Sequence, residues 1–117
     1  MSSSQLTLNL TEGSVSFRYT PEAARALRAA LTEAIDRLKV VAANAASPSG
    51  RPTPQQPIEY QYTGEVFLEV FCNPNIWPTP FSAKLLLTVR DDRIRLSTEV
   101  ELTRTLEDID RYLEQFA

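Results

Sequence analysis

Residues 81–102 read FSAKLLLTVRDDRIRLSTEVEL, and this stretch decides the fold class. Apolar side chains alternate with polar ones on both sides of Asp91-Asp92: Phe81, Ala83, Leu85, Leu87 and Val89, then Ile94, Leu96, Val100 and Leu102. A period of two residues is typical of a strand with one buried face. The sequence therefore predicts an antiparallel hairpin of two strands, 81–90 and 93–102, joined by a tight turn.

The last helix follows this hairpin, and its start allows two interpretations. Residues 98–101, Thr-Glu-Val-Glu, match the capping box of a helix N-terminus. The alternation is nevertheless unbroken at Thr98, so we prefer a strand there and place the N-cap at Thr103. Apolar residues at steps of three and four then predict an amphipathic helix: Leu102, Leu106, Ile109, Leu113 and Phe116.

A second hairpin and a longer helix are predicted before residue 47. Leu6, Leu8 and Leu10 alternate before a turn at 11–14, and Val15, Phe17 and Tyr19 alternate after it. Thr20 is a good N-cap, and Pro21 fits the first helical position because its missing N–H has no partner there. Leucines and isoleucine at helical spacing predict a helix from residue 21 to about 43–46: Leu27, Leu31, Ile35 and Leu38.

Residues 47–57 carry four prolines, one glycine and no aliphatic side chain, which predicts an extended, mobile connector. Strand patterns resume at 58–62 and 65–72, with Thr63-Gly64 as a bulge or bend. The hairpin and helix before the connector are too small to bury a core alone. We therefore expect a single α+β domain over 1–117, of order ββαβββα, with an antiparallel sheet and both helices packed on one face.

Composition excludes several classes of active site. The chain has 117 residues, no histidine, one cysteine and a formal charge of −3. A Ser-His-Asp triad, a Cys-His pair and a zinc site of thiolates and imidazoles are all impossible within it. We therefore expect a protein that is not an enzyme and that needs no cofactor or metal. The first residues lack a secretory pattern, and no apolar run reaches membrane length, so we expect a cytoplasmic protein without membrane contact.

The candidate partner-binding residues are Ile76, Trp77 and Phe81, on a loop that contains three prolines between residues 73 and 80. Large apolar side chains on a stiff loop favour recognition, because a stiff loop loses little entropy on docking. The alternative is that Trp77 folds back onto the core. The preferred hypothesis is a non-catalytic protein-interaction or assembly module that binds another protein or a second copy, with a homodimer expected.

Single-stranded nucleic-acid binding is the alternative function. Basic and aromatic residues lie on the predicted strands: Arg18, Arg90, Arg93 and Arg95, with Tyr19, Tyr60, Tyr62, Phe67 and Phe71. Such residues on one sheet face are how several small modules hold single strands. In element order, strands followed by a helix, the chain resembles Whirly-type single-strand binders. The net negative charge weighs against this alternative.

Other reactive groups are expected to be structural or solvated. Carboxylates cluster at two places, Glu99 with Glu101 and then Glu107, Asp108 and Asp110, and we expect a solvated acidic face. Cys72 is in phase with a buried strand face, which predicts a packed, unreactive thiol.

One further similarity concerns the C-terminal third. The segments 91–99, 102–104, 106–108 and 112–114 (DDRIRLSTE, LTR, LED and YLE) resemble the C-terminal part of small uncharacterised cyanobacterial proteins. The resemblance implies a bacterial cytosolic setting. It implies no activity and no functional residue.

Overall fold

Two helices and two antiparallel sheets form the part of the chain that the computed structural model describes, residues 4–45 and 54–117. The elements are β1 (Gln5–Asn9), β2 (Ser14–Arg18), α1 (Pro21–Ala45), β3 (Ile58–Thr63), β4 (Phe67–Cys72), β5 (Lys84–Arg90), β6 (Arg95–Glu101) and α2 (Leu102–Phe116). The α+β class is confirmed. The observed order is ββαββββα, one strand more than the pattern predicts.

The additional strand arises at Gly64. We expected a bend within one strand, but the chain reverses there, and Thr63 of β3 pairs with Phe67 of β4. The Gly64 N–H donates to the Val66 carbonyl at 3.0 Å. A side chain at Gly64 would collide with the ring of Tyr62, so a larger residue there would have to displace that ring. Alternation looks the same on either side of a reversal, which is why the pattern alone indicated only a bend.

The N-terminal hairpin is a separate two-stranded sheet, where a single sheet was expected. Leu8 lies opposite Val15, and Gly13 takes a φ of 87° in the turn, a left-handed conformation that favours glycine. Helix α2 lies along β1, so this hairpin packs against a helix instead of extending the larger sheet.

Helix α1 forms as the sequence predicts. The Ala23 N–H donates to Thr20 Oγ1 at 3.1 Å, which confirms the N-cap. Its buried stripe consists of alanines and leucines: Ala23, Ala24, Leu27, Leu31, Ala34 and Leu38. On the exposed side, Arg37 and Glu33 form an ion pair at 2.7 Å, at the four-residue spacing that favours such pairs.

The four-stranded sheet has the order β3-β4-β5-β6, and all its pairs are antiparallel. Residues 98–101 belong to β6, so the strand interpretation is confirmed and the capping box is wrong. The N-cap of α2 is Glu101, not Thr103, and it makes no side-chain cap bond. The Leu102 N–H donates instead to the Ala83 carbonyl at 3.1 Å, so the last rung of the β5–β6 ladder satisfies the first helical N–H.

One hydrophobic core joins the segments before and after the connector. The inner face of the four-stranded sheet, both helices and the N-terminal hairpin contribute to it, and fully buried examples are Leu6, Leu27, Leu68, Leu85 and Ile109. Residues 46–53, most of the predicted mobile connector, lie outside the described residues. Residues 54–57 have no regular structure, and Arg37 Nη1 donates to the Gln56 carbonyl at 2.6 Å.

Hydrogen bonds of tyrosine hydroxyls link the elements that surround this core. Tyr112 Oη donates to the Tyr19 carbonyl at 2.6 Å in a buried bond, which joins α2 to the end of the N-terminal hairpin. The hydroxyls of Tyr19 and Tyr60 lie 3.0 Å apart, which joins the hairpin to β3. None of the described helices combines the length and apolar content needed to cross a membrane.

Candidate functional site

The loop between β4 and β5, residues 73–83, is fastened at its beginning to the segment before β3. Asn75 Nδ2 donates to the Gln55 carbonyl at 2.7 Å, and the Gln55 N–H donates to Asn75 Oδ1 at 2.8 Å. The Asn75 side-chain amide therefore makes the two hydrogen bonds to the Gln55 backbone that a neighbouring strand would make. Asn73 Oδ1 accepts from the Asn75 N–H at 3.0 Å, which fixes the chain at that point.

The end of the 73–83 loop is a second fixed turn. The Ser82 N–H donates to the Thr79 carbonyl at 3.2 Å, and Ser82 Oγ donates to the same oxygen at 2.9 Å. Because this turn occupies residues 79–82, β5 begins at Lys84 and not at Phe81 as the alternation predicted. Phe81 is therefore a turn residue, and it is not part of the core face of a strand.

The three predicted partner-binding residues lie in different environments. Phe81 is 83% exposed and Ile76 is 64% exposed, whereas Trp77 is partly buried and packs against the core. Trp77 therefore folds back onto the core, as the alternative interpretation of the sequence predicted. The loop is anchored by one large apolar residue and presents two others to solvent.

Leu86 is an exposed apolar residue that the sequence analysis missed. It is 48% exposed on the outer face of the four-stranded sheet, directly opposite Phe71 of β4. A signal was available in the run Leu85-Leu86-Leu87, because the middle residue of three must face away from its neighbours in a strand. Phe71 and Leu86 lie at the end of the sheet where β4 leads into the 73–83 loop.

Polar and charged pairs occupy the rest of this outer face. Gln61 Nε2 donates to Glu69 Oε2 at 2.7 Å, and the hydroxyls of Thr88 and Ser97 lie 3.1 Å apart. At the far end, the Arg90 guanidinium carbon lies 4.3 Å from the centre of the Phe67 ring. That distance is typical of a cation–π contact, so an intramolecular partner already covers one face of this ring.

The aromatic residues of the nucleic-acid hypothesis are divided between the two sides of the sheet. Tyr19 is buried, Tyr60 and Tyr62 are partly buried, and all three belong to the hydrophobic core. Burial raises the pKa of both Tyr19 and Tyr60. Phe67 and Phe71 alone are on the outer face. The structure therefore does not bring the five predicted aromatics together on one surface.

A cleft of 310 Å³ lies between β1 and α2 and contains Asp108. This carboxylate is 4% exposed, so the expected solvated acidic face is wrong for Asp108. Its Oδ2 accepts from the Asn9 N–H and its Oδ1 from Asn9 Nδ2, both at 2.8 Å. Oδ2 thus satisfies a backbone donor on the open edge of β1, and Oδ1 binds the side chain of the same residue. The neighbouring Asp110 behaves differently and pairs with Arg28 at the surface.

A second cleft, of 400 Å³, lies between the β3–β4 and β5–β6 turns and includes Asp91. Asp91 Oδ1 accepts from the Arg93 and Ile94 N–H groups at 2.8 and 2.9 Å. These backbone hydrogen bonds lower the pKa of Asp91. The carboxylate therefore stabilises its own turn, so the chain connects β5 and β6 without a glycine. The connection is residues 91–94, so it is two residues longer than the predicted Asp91-Asp92 turn, and β6 begins at Arg95 and not at Arg93.

The remaining chemical groups agree with structural roles. Cys72 is buried as predicted, and burial raises the pKa of its thiol, which disfavours the reactive thiolate. Within residues 4–45 and 54–117, no three His, Cys, Asp or Glu side chains are grouped so that they could hold a metal ion. Comparisons with protein-family models, curated proteins and solved structures found no match to the chain.

Proposed function

We propose that this protein is a non-catalytic interaction module that binds another protein through Ile76 and Phe81 of the 73–83 loop. One observation carries the proposal: two large apolar side chains are 64% and 83% exposed on a loop that is fixed at both ends. A single exposed apolar residue is ordinary at a protein surface. Two such residues on one fixed loop favour a contact surface.

The energetics support binding at this loop. Burying an isoleucine or phenylalanine side chain that was exposed is worth about 1.5–3 kcal/mol each. Association is opposed by the cost of ordering loops and side chains. Here the Asn75–Gln55 and Thr79–Ser82 bonds have already ordered the backbone before the partner arrives. A larger share of the free energy gained by burying Ile76 and Phe81 therefore remains as binding affinity.

The surroundings of the loop favour a protein as the partner. Phe71 and Leu86 extend the apolar character onto the adjacent end of the outer sheet face. Glu59 lies opposite Phe71, Glu99 lies opposite Leu86, and Lys84 lies opposite Glu101, so the surrounding charges are mixed and mostly negative. A rim of mixed charge around an apolar centre is typical of protein interfaces. A phosphate backbone would require a positive surface. A reducing cytoplasm is the setting we propose, because the lone thiol of Cys72 is buried and free.

The test is capture from native lysate with quantitative mass spectrometry, comparing the wild type with Ile76→Ser and Phe81→Ser. Val40→Ser is the matched control, because Val40 is 43% exposed but lies on α1. We expect a defined set of proteins to be lost with both loop variants and kept with the control. Thermal melting checks that each variant is folded.

Two outcomes would contradict the proposal. The first is capture of the same proteins, in the same amounts, by the wild type and both loop variants. The second is salt-dependent retention of the wild type on single-stranded oligonucleotides that Phe81→Ser leaves unchanged, which would favour the nucleic-acid function.

A further inference from the structure

Strand β6 is an open edge of the four-stranded sheet. It pairs with β5 along one side, and no other strand among the described residues pairs with its second side. Arg95, Ser97 and Glu99 of this strand are exposed. Edge strands present unpaired N–H and C=O groups, which form a template for another strand.

The register identifies which backbone groups of β6 are unpaired. The Asp91 N–H donates to the Ile94 carbonyl, and the Leu102 N–H donates to the Ala83 carbonyl, at the two ends of the β5–β6 ladder. In an antiparallel ladder, residues alternate between pairs that exchange hydrogen bonds and pairs that do not. The bonded positions between these ends are therefore Leu96, Thr98 and Val100.

The intervening residues of β6 direct their N–H and C=O groups away from β5. These residues are Arg95, Ser97 and Glu99, the same ones whose side chains lie on the outer face. The Glu99 carbonyl accepts one long bond, 3.4 Å from Thr98 Oγ1, and its second lone pair remains available. The open edge thus offers backbone donors and acceptors at three alternate residues.

The charges along this edge are self-complementary. Reading alternate residues gives Arg93, Arg95, Ser97, Glu99 and Glu101, two positive residues before the serine and two negative residues after it. Charged side chains usually protect an edge by repelling a second copy. With this order of signs, an antiparallel copy centred on Ser97 meets opposite charges, whereas a parallel copy in register meets like charges.

We propose that two copies of this chain pair through β6, antiparallel, with Ser97 of one opposite Ser97 of the other. Arg95 then lies opposite Glu99 of the second copy, and the twofold axis repeats this pair. The three outward-facing positions are bonded positions in this register, so about six interchain backbone hydrogen bonds form. The two four-stranded sheets become one continuous sheet of eight strands.

The inner side of the edge fits the same register. Leu96 and Thr98, both half-buried, lie opposite each other across the axis. Ile94 lies opposite Val100 of the second copy. Ile94 is 68% exposed in the single chain, and pairing would cover its side chain. This interface shares Glu99 and Glu101 with the charged surroundings of the 73–83 loop but does not use Ile76 or Phe81, so it does not depend on the proposed function.

Charge reversal tests the register directly on the full chain. In the proposed dimer, Arg95→Glu creates two facing glutamate–glutamate pairs, one on each side of the twofold axis. Glu99→Arg likewise creates two facing arginine–arginine pairs. We expect each single reversal to raise the dimer dissociation constant at least about 10-fold, since opposed cross-strand pairs change from attraction to repulsion. The double variant Arg95→Glu/Glu99→Arg restores opposite charges and should recover the wild-type constant.

The measurement is sedimentation equilibrium over a range of protein concentrations and at two salt concentrations. Glu59→Arg is the control, because Glu59 is an outer-face charge on β3, at the opposite edge of the sheet. Ser97→Pro removes an outward N–H without removing a β5 bond, so it should abolish the dimer in a chain that still melts cooperatively. Phe81→Ser should leave the dimer intact.

Three results would overturn the inference. One is a wild-type chain that remains monomeric throughout the concentration range. Another is a double variant that dimerises no better than the single reversals. The third is a dimer that survives Ser97→Pro or that Phe81→Ser disrupts, which would place the interface elsewhere.

Discussion

Replacing the buried Asp108 with alanine should destabilise the protein more than the same change at an exposed carboxylate. Asp108 lies on α2 and is 4% exposed, and its two oxygens accept from the backbone and side-chain amides of Asn9 at 2.8 Å. The third contact, from Arg111 at 3.7 Å, is too long to contribute much. Asp108→Ala removes both short bonds and leaves the Asn9 N–H without its acceptor.

The expected loss is about 2–4 kcal/mol. A hydrogen bond to a charged group is worth about 1.5–3 kcal/mol, and there are two of them. Two effects reduce the sum: Asn9 is half-buried, so water reaches part of the vacated site, and alanine is the better helix former by several tenths of a kcal/mol. Native stability is about 0.05–0.15 kcal/mol per residue, so this loss is a large share of the total for 117 residues.

Urea unfolding followed by circular dichroism measures this loss. Asp110→Ala is the matched control, because it makes the same substitution in the same helix at an exposed ion pair, and it should cost only a small fraction as much. Asp108→Asn should fall between the two, since the amide oxygen can still accept from the Asn9 N–H and the second bond is kept only if the Asn9 side-chain amide turns over. In a double-mutant cycle, Asn9→Ala should show strong coupling to Asp108→Ala. Equal losses for Asp108→Ala and Asp110→Ala would refute the reasoning.

Three further changes test the buried polar groups. Tyr112→Phe removes the buried bond to the Tyr19 carbonyl and should lower the free energy of unfolding by about 1–2 kcal/mol; a change within error in urea unfolding would contradict this. Burial raises the pKa of Tyr19 above its ordinary 10.0, so the unfolded chain loses this proton first and stability should fall as pH rises past about 10. Urea unfolding at pH 8 and 10.5 measures that fall, which should be smaller in Tyr19→Phe; an equal fall would argue against the assignment. Cys72 should react with a thiol reagent far more slowly in the native protein than in urea, and rapid native labelling would show that it is accessible.

Local patterns predicted those elements whose signals lie within a few residues of one another. The Thr20 cap and the stripe of α1 both depend on spacings of three or four residues, and both were found. The reversal at Gly64 was missed because alternation carries no information about strand direction. The N-cap of α2 was misplaced because a distant carbonyl, that of Ala83, satisfies the Leu102 N–H.

The candidate sites were harder to predict from the sequence than the helices and strands, because they depend on tertiary contacts. The sequence indicated an apolar loop, but it could not decide which of Ile76, Trp77 and Phe81 would reach solvent. The charge order from Arg93 to Glu101 is visible in the sequence, yet it has meaning only once β6 is known to be an edge. Asp108 was expected at the surface, because nothing near it in sequence indicates the open strand that it satisfies 99 residues away.

That separation has a consequence for biosynthesis. The β1–β2 hairpin leaves the ribosome before α2, because the helix that covers β1 is made about 99 residues later. At about 5–20 residues per second, the interval is about 5–20 s. An isolated two-stranded hairpin is marginally stable in water, so during that interval the nascent β1–β2 segment has no lasting structure. It is then a natural substrate for chaperones and proteases, and its protection begins only when translation reaches α2.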